Sequence, residues 1–305
     1  MHFLKKEDPT SLSLETGTLK KWIIAIRPAT LFASVSPVIL GSSIAYSEHL
    51  FHLPSFLAAL LGAIFIQIGT NLANDYYDYI YGIDSEDRIG PIRVTQKGII
   101  EPSFVKKGFI LAFSLAILCG IYLIARAGIP ILIIGLLSIL FGICYSAGPF
   151  PISHLGLADL AVIIFFGPVA VAGTYYVQAL SIKKEVILLG LGPGFISNAI
   201  LTVNNLRDLE ADKKAGKKSL AVRFGKRFAQ AEYLLSLFIA FIIPFFFLSK
   251  RHYMHLLACI SFLVPLGYIK VLWQKPNPLY NVLLKRTSLS VFLYCLFFSI
   301  GWISD

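Results

Sequence analysis

The chain has 305 residues, of which 56% are apolar and only 14% charged, with a formal net charge of +10. So apolar a composition excludes an ordinary soluble domain and a disordered chain, and it suits a membrane protein with short loops. Its four cysteines are isolated, with no CxxC pair, and imply neither a disulfide framework nor a metal site.

A polar tail over 1–20 comes first. Apolar spans long enough to cross a hydrocarbon core of about 30 Å follow near 22–46, 54–80, 107–125, 129–147, 156–178, 185–206, 229–249, 252–273 and 288–304. The expectation is an all-α integral membrane fold of nine helices, with 21–305 forming one domain. The first span opens with Lys20, Lys21 and Arg27 and lacks a small-residue cleavage site, so it reads as a retained helix.

The basic residues set the predicted orientation. With the N-terminus in the cytoplasm, 22 of the 27 Lys and Arg fall in inside segments and 5 in outside ones, the bias expected of a multi-pass protein of the cell (inner) membrane. The lipid bilayer is therefore an expected partner. A nucleic acid is not, because the charges are spread over several loops without a recognition module.

The acids are gathered rather than spread. Asp75, Asp78, Asp84, Glu86, Asp87, Asp208, Glu210 and Asp212 make up eight of the 17, and they lie in two clusters at span ends. A carboxylate next to hydrocarbon costs about 2.5–3.5 kcal/mol on insertion scales, so such a gathering marks a functional site. Asn71, Asn74, Asp75 and Asp78 fall at i, i+3, i+4 and i+7, one helical stripe; Asn204, Asp208 and Asp212 fall at i, i+4 and i+8, another. Both clusters lie on the predicted cytoplasmic side. The shared Asn-x3-Asp opening hints at a four-plus-five helix repeat.

Oxygen ligands without His or Cys favour a hard cation such as Mg²⁺, which keeps waters and bridges to substrate phosphates. Two carboxylate stripes holding Mg²⁺ can clamp a diphosphate between them. The following loops carry Arg88, Arg93 and Lys97, beside Gly90, Pro91 and Gly98, and then a lysine-rich run from Lys213 to Arg223. Arginine and lysine there supply the counter-charge that an anionic diphosphate needs.

The segments RPATLFASVSPVILG (27–41), NLANDYYDYIYGIDSEDRIGP (71–91), QKGIIEP (96–102), YSAGPFPISHLGLADLAV (145–162), FFGPVAVAGTYYVQ (165–178) and NNLRDLEADKKAGKKSLAVRFG (204–225) together carry a resemblance. The chain resembles the UbiA superfamily of intramembrane prenyltransferases, in its 1,4-dihydroxy-2-naphthoate (MenA-like) branch. Position 82, four after Asp78, is Gly, and the next acid is Asp84. That spacing is similar to the naphthoate branch and unlike the 4-hydroxybenzoate branch.

The resemblance implies helices around a central cavity with a cytoplasmic-side cap and a side opening to lipid. It also implies Mg²⁺-dependent transfer of a prenyl group from a polyprenyl diphosphate to 1,4-dihydroxynaphthoate, with loss of CO₂, in menaquinone synthesis. Asp75, Asp78, Asp208 and Asp212 are then the Mg²⁺ ligands, with Asn71 and Asn204 completing the clamp. Arg88, Arg93 and Lys97 meet the diphosphate; Arg27, Tyr145 and Asp84 are further contacts to acceptor or diphosphate. Three alternatives stay open: the 6-carboxy isomer as acceptor, a CDP-alcohol phosphotransferase, whose Asp-Gly-x2-Ala-Arg continuation is absent after Asp78, and an ion-coupled secondary transporter.

Overall fold

The computed structural model describes residues 17–83, 89–149, 151–249 and 253–304. Among them every regular element is helical. The first predicted span is two helices, α1 (Thr18–Ile26) and α2 (Pro28–Ser47), broken at Arg27, whose φ of 55° lies in the left-handed region. Pro28 explains the break, since a proline pushes the residue before it out of the helical region and itself starts a new helix well. A non-glycine residue held there stores about 1–3 kcal/mol of strain, a feature of functional sites.

Then come α3 (Leu53–Ile80), α4 (Pro102–Ala127), α5 (Ile129–Cys144), α6 (Ala158–Ala179), α7 (Lys184–Arg207), α8 (Leu209–Lys214), α9 (Leu220–Phe247) and α10 (Leu279–Ser304). Seven of these, α2, α3, α4, α6, α7, α9 and α10, are long and apolar enough to cross a membrane. The expected count of nine is not reached at that length among the described residues. The 16 residues of α5 rise about 24 Å, short of the roughly 30 Å core. The span expected at 252–273 is broken into 3₁₀ turns, Met254–Phe262 and Ile269–Trp273, around a short α-turn that contains Pro265.

Helix α7 is the most buried of the seven and packs on α6, α9 and α10. Its contact with α6 is backbone to backbone. A Cβ on Gly190 would lie 2.6 Å from Pro168 Cα, and one on Gly194 2.5 Å from the Ile163 carbonyl oxygen. Small residues permit this approach where no hydrophobic force drives helices together. Opposite them α6 runs through a π-helical stretch, Phe165–Val169, a local widening that often accompanies functional sites.

At one end the loops are tied across the bundle. Lys218 N–H donates to the His154 carbonyl at 3.1 Å, Arg223 Nη2 to the Leu155 carbonyl at 2.7 Å, and Asn281 Nδ2 to the Ile89 carbonyl at 2.9 Å. The first two join the connection after α5 to the start of α9, the third joins the connection after α3 to the start of α10, and together they build a cap. At the other end Glu48 accepts from the Tyr175 hydroxyl and pairs with Lys183, both at 2.7 Å.

Candidate active site

Under the cap lies a cavity of about 940 Å³. Its wall is apolar, with Ile66, Ile124, Ile131, Ile134, Phe165 and Phe166 among its residues. Ile117, Ile121 and Leu136 line it and are also at least half exposed on the outer face of the bundle, so the wall between α4 and α5 continues onto the lipid-facing surface. The charged lining residues, Arg27, Asp78, Arg93, Asp208, Asp212, Lys217 and Lys285, collect toward the capped end with Asn71, Asn74, Tyr145, Asn204 and Asn281, while smaller polar side chains such as Ser34, Ser138 and Thr174 line the rest of the wall. Both acidic clusters meet at this one mouth.

The first cluster divides its labour. Asp78 lines the cavity and is gripped by Arg93, with Nη2 to Oδ2 at 2.5 Å. Asn74 bridges the pair: its Oδ1 accepts from Arg93 Nη1 at 2.6 Å, and its Nδ2 donates to Asp78 Oδ2 at 3.0 Å and to Ser146 Oγ. Asp75, on the same stripe, is fully buried and does not line the cavity. Its Oδ2 and Oδ1 accept the backbone N–H groups of Val94 and Thr95 at 3.1 and 3.0 Å, so it anchors the loop that carries Arg93. Its other neighbour is Arg27, with Nη2 to Oδ2 at 3.9 Å.

Asn71 lines the cavity, but its amide serves the α1–α2 break. Nδ2 donates to the Ile26 carbonyl and to Thr30 Oγ1, both at 2.8 Å, and Oδ1 accepts from Gln67 at 3.2 Å. The strained backbone at Arg27 is thus held by the helix that carries the acids. Arg27 Nη1 in turn donates to Asn74 Oδ1 at 3.4 Å. Lys97 is exposed and does not line the cavity. Asp84 and Arg88 lie outside the described residues.

The second cluster spans a bend, not a continuous helix: α7 ends at Arg207, Asp208 caps it, and α8 begins at Leu209. Both Asp208 and Asp212 still reach the mouth. Buried Arg207 holds Asp208 through two bonds, Nε to Oδ1 at 2.9 Å and Nη2 to Oδ2 at 2.7 Å, and also donates to Asn204 Oδ1 at 2.6 Å and Asn281 Oδ1 at 2.9 Å. Asp212 pairs with Lys217 at 3.0 Å. The Asn-x3-Asp echo is therefore not repeated in three dimensions, since Asp75 holds backbone where Asp208 faces the cavity.

Tyr145 ends α5 and lines the cavity. Burial first, and then the charges of Asp159, Asp78 and Asp212, push its phenol well above its usual range, against a smaller opposite pull from Arg93. It is a hydroxyl donor at any physiological pH.

The sequence profile of the UbiA prenyltransferase family matches residues 34–296. The chain belongs to the UbiA prenyltransferase family. Both acidic clusters fall inside the match, and the protein is an integral membrane protein. It is 35% identical over 297 residues to a Haemophilus influenzae protein named 1,4-dihydroxy-2-naphthoate octaprenyltransferase, covering 92% of this chain and 94% of that one. An Escherichia coli protein of the same name is 38% identical over 211 residues, 67% of this chain and 68% of the other. A UbiA homologue from Archaeoglobus fulgidus, solved with GPP and Mg²⁺, superimposes with a TM-score of 0.64 at 17% identity, over 93% of this chain and all of that one. At that identity the likeness establishes the UbiA fold.

The donor set fits a hard cation. Three carboxylates line the mouth, and no described His or Cys is among the lining residues. Among the described residues no three His, Cys, Asp or Glu are grouped to hold a metal by themselves. Such a set suits Mg²⁺, which takes one or two carboxylates and completes its shell with water and phosphate oxygens.

Sequence reasoning named neither Arg207 nor Asn281 nor Lys285 as site residues. Arg207 carries a local signal, standing three residues after Asn204 on a helix. Asn281 and Lys285, four apart on α10, carry none, because polar residues on the basic side of a membrane helix look like topology charges.

Proposed function

We propose that this protein is a prenyltransferase of the cell (inner) membrane that moves a prenyl group from a polyprenyl diphosphate to 1,4-dihydroxy-2-naphthoate, with loss of CO₂, to form demethylmenaquinol in menaquinone synthesis. The observation that carries this reading is the convergence of Asp78, Asp208 and Asp212 at the mouth of one long apolar cavity. An isoprenoid tail needs the wall, and its diphosphate needs the acids and cations at the end. The names of the relatives support the naphthoate acceptor. The excess of Lys and Arg on the capped side supports a cytoplasmic site and a cytoplasmic N-terminus, with 21–305 as a single domain.

Asp78, Asp208 and Asp212 are the residues that would hold Mg²⁺, with Asn204 beside them. Bound there, Mg²⁺ neutralises charge that builds on the departing diphosphate. Arg93 and Lys217, paired with acids at the mouth, are placed to turn from carboxylate to phosphate oxygen when the substrate arrives. Asp75 acts through the loop it anchors and keeps Arg93 at the mouth. Tyr145 donates its hydroxyl to a substrate oxygen. The apolar wall excludes water from the allylic cation, and the faces of Phe165 and Phe166 stabilise it by about 0.5–2 kcal/mol each if they approach it within about 6 Å. The ring carbon bearing the carboxylate attacks, its bond to the carboxyl carbon breaks, and the electron pair restores aromaticity as CO₂ leaves. Carboxylate and prenyl cation balance without a proton, so this step needs no general base.

The test is purified protein with Mg²⁺, a prenyl diphosphate and either 1,4-dihydroxy-2-naphthoate or its 6-carboxy isomer, read by product mass. A prenylated product from the 2-isomer that has lost the mass of CO₂, absent with Asp78→Ala and Asp208→Ala, is expected. Product that retains its carboxyl, from the 6-isomer alone, would move the enzyme to a different acceptor, and uptake of substrate without product would revive an ion-coupled transporter.

A further inference from the structure

Four described cations line the cavity: Arg27, Arg93, Lys217 and Lys285. Arg93 is committed to Asp78, Lys217 to Asp212, and Arg27 lies 3.9 Å from Asp75. Among the described residues Lys285 has no hydrogen-bond or ion-pair partner, and its ammonium is left for something else. Lys285 is exposed as a residue, near the start of α10, and its long stem lets the ammonium reach the cavity that it lines as well as water.

Its height in the fold indicates which group it meets. Asn281, four residues earlier on α10, touches the Arg207–Asp208 network at the mouth. Lys285 is then about 6 Å further along α10 toward the apolar wall, one turn below the acids that would take the metal and diphosphate. A nucleophile must come within about 3–3.5 Å of the prenyl carbon that carries the diphosphate, so the acceptor ring occupies this lower level. The next residue, Arg286, turns elsewhere, with its guanidinium 5.5 Å from the Tyr268 ring centroid. We propose that Lys285 recognises the carboxylate of the aromatic acceptor and so selects a carboxylated ring over an uncharged one. This inference rests on the prenyl-transfer reading, and it adds a specificity residue on the last helix that the acidic motifs do not contain.

Lys285→Met and Lys285→Arg test it, with KM measured separately for acceptor and prenyl diphosphate, alongside 1,4-dihydroxynaphthalene, which lacks the carboxylate. A charge-assisted hydrogen bond lost from the acceptor should raise its KM in Lys285→Met roughly ten- to hundredfold. The KM for prenyl diphosphate should hold, the uncharged ring should bind equally well to both proteins, and Lys285→Arg should recover most of the loss. An unchanged acceptor KM, as for a lysine that merely anchors the helix at the interface, overturns the proposal. A rise confined to prenyl diphosphate overturns it equally. Equilibrium binding of 1,4-dihydroxy-2-naphthoate to wild-type and Lys285→Met protein separates the same outcomes without turnover. Absence of product from the wild type would sink the prenyl-transfer reading instead, and the two failures stay distinct.

Discussion

Arg93 and Asp78 form an ion pair at 2.5 Å with both side chains only 4% exposed, across a gap of 15 residues that includes the most acidic stretch of the chain. Removing one partner of such a pair strands the other charge in a dry site, at about 3–5 kcal/mol, while removing both costs far less. Arg93→Ala should therefore melt markedly below wild type in detergent, and Arg93→Met with Asp78→Asn should recover much of the loss while remaining inactive. Equal melting temperatures for the single and double variants would contradict the buried pair.

Asp75 and Asp78 should separate by phenotype although three residues apart. Ligands that bind only the folded state raise its melting temperature, so wild type should be stabilised by Mg²⁺ with diphosphate. Asp78→Ala and Asp212→Ala should lose that shift. Asp75→Ala should keep it, yet start from a lower melting temperature and be cleaved faster by protease within 91–100, since two amide bonds to a carboxylate worth about 1.5–3 kcal/mol each are gone. Loss of the Mg²⁺ shift in Asp75→Ala would make Asp75 a metal ligand after all.

Tyr145 has a phenol raised above its ordinary value, chiefly by burial. Its contribution to stability is therefore complete below the unfolded value near 10 and is lost progressively as pH climbs from there through the folded value. The pH–rate profile should show no limb from Tyr145 below about pH 10. Tyr145→Phe should lower kcat about five- to tenfold, as for one neutral hydrogen bond of ~1 kcal/mol, without changing the shape of that profile. A limb near neutrality that disappears in Tyr145→Phe would assign it as a base.

Gly190 meets the backbone of Pro168 in the α6–α7 contact. Gly190→Ala should cost at least the roughly 1–3 kcal/mol typical of overpacking, because a backbone cannot turn aside as a side chain can. Thermal melts measure this directly, and Gly120→Ala, inside α4 where a Cβ meets nothing within 4 Å, is the control expected to gain up to about 1 kcal/mol from helix propensity rather than lose stability.

Hydropathy, acid placement and basic asymmetry are properties of local sequence, and, whereas the cavity and its cap were implied by the family resemblance, they determined the helical membrane fold and the side of it on which the two acidic clusters lie. They located Asp78, Asp208 and Asp212, since a residue type that is expensive beside lipid is kept there only for use. Packing decided the rest. At about 100° per residue, Asn74 and Asp75 sit at opposite edges of one stripe; the 91–95 loop folds onto one edge and takes Asp75, while the other edge is left to the cavity. The same rotation parts Lys285 from Arg286, neighbours in sequence, one lining the substrate cavity and the other lying against Tyr268. A sequence records that both are cations, but which of them meets a substrate depends on the helices beside α10, and that is settled only when the bundle closes.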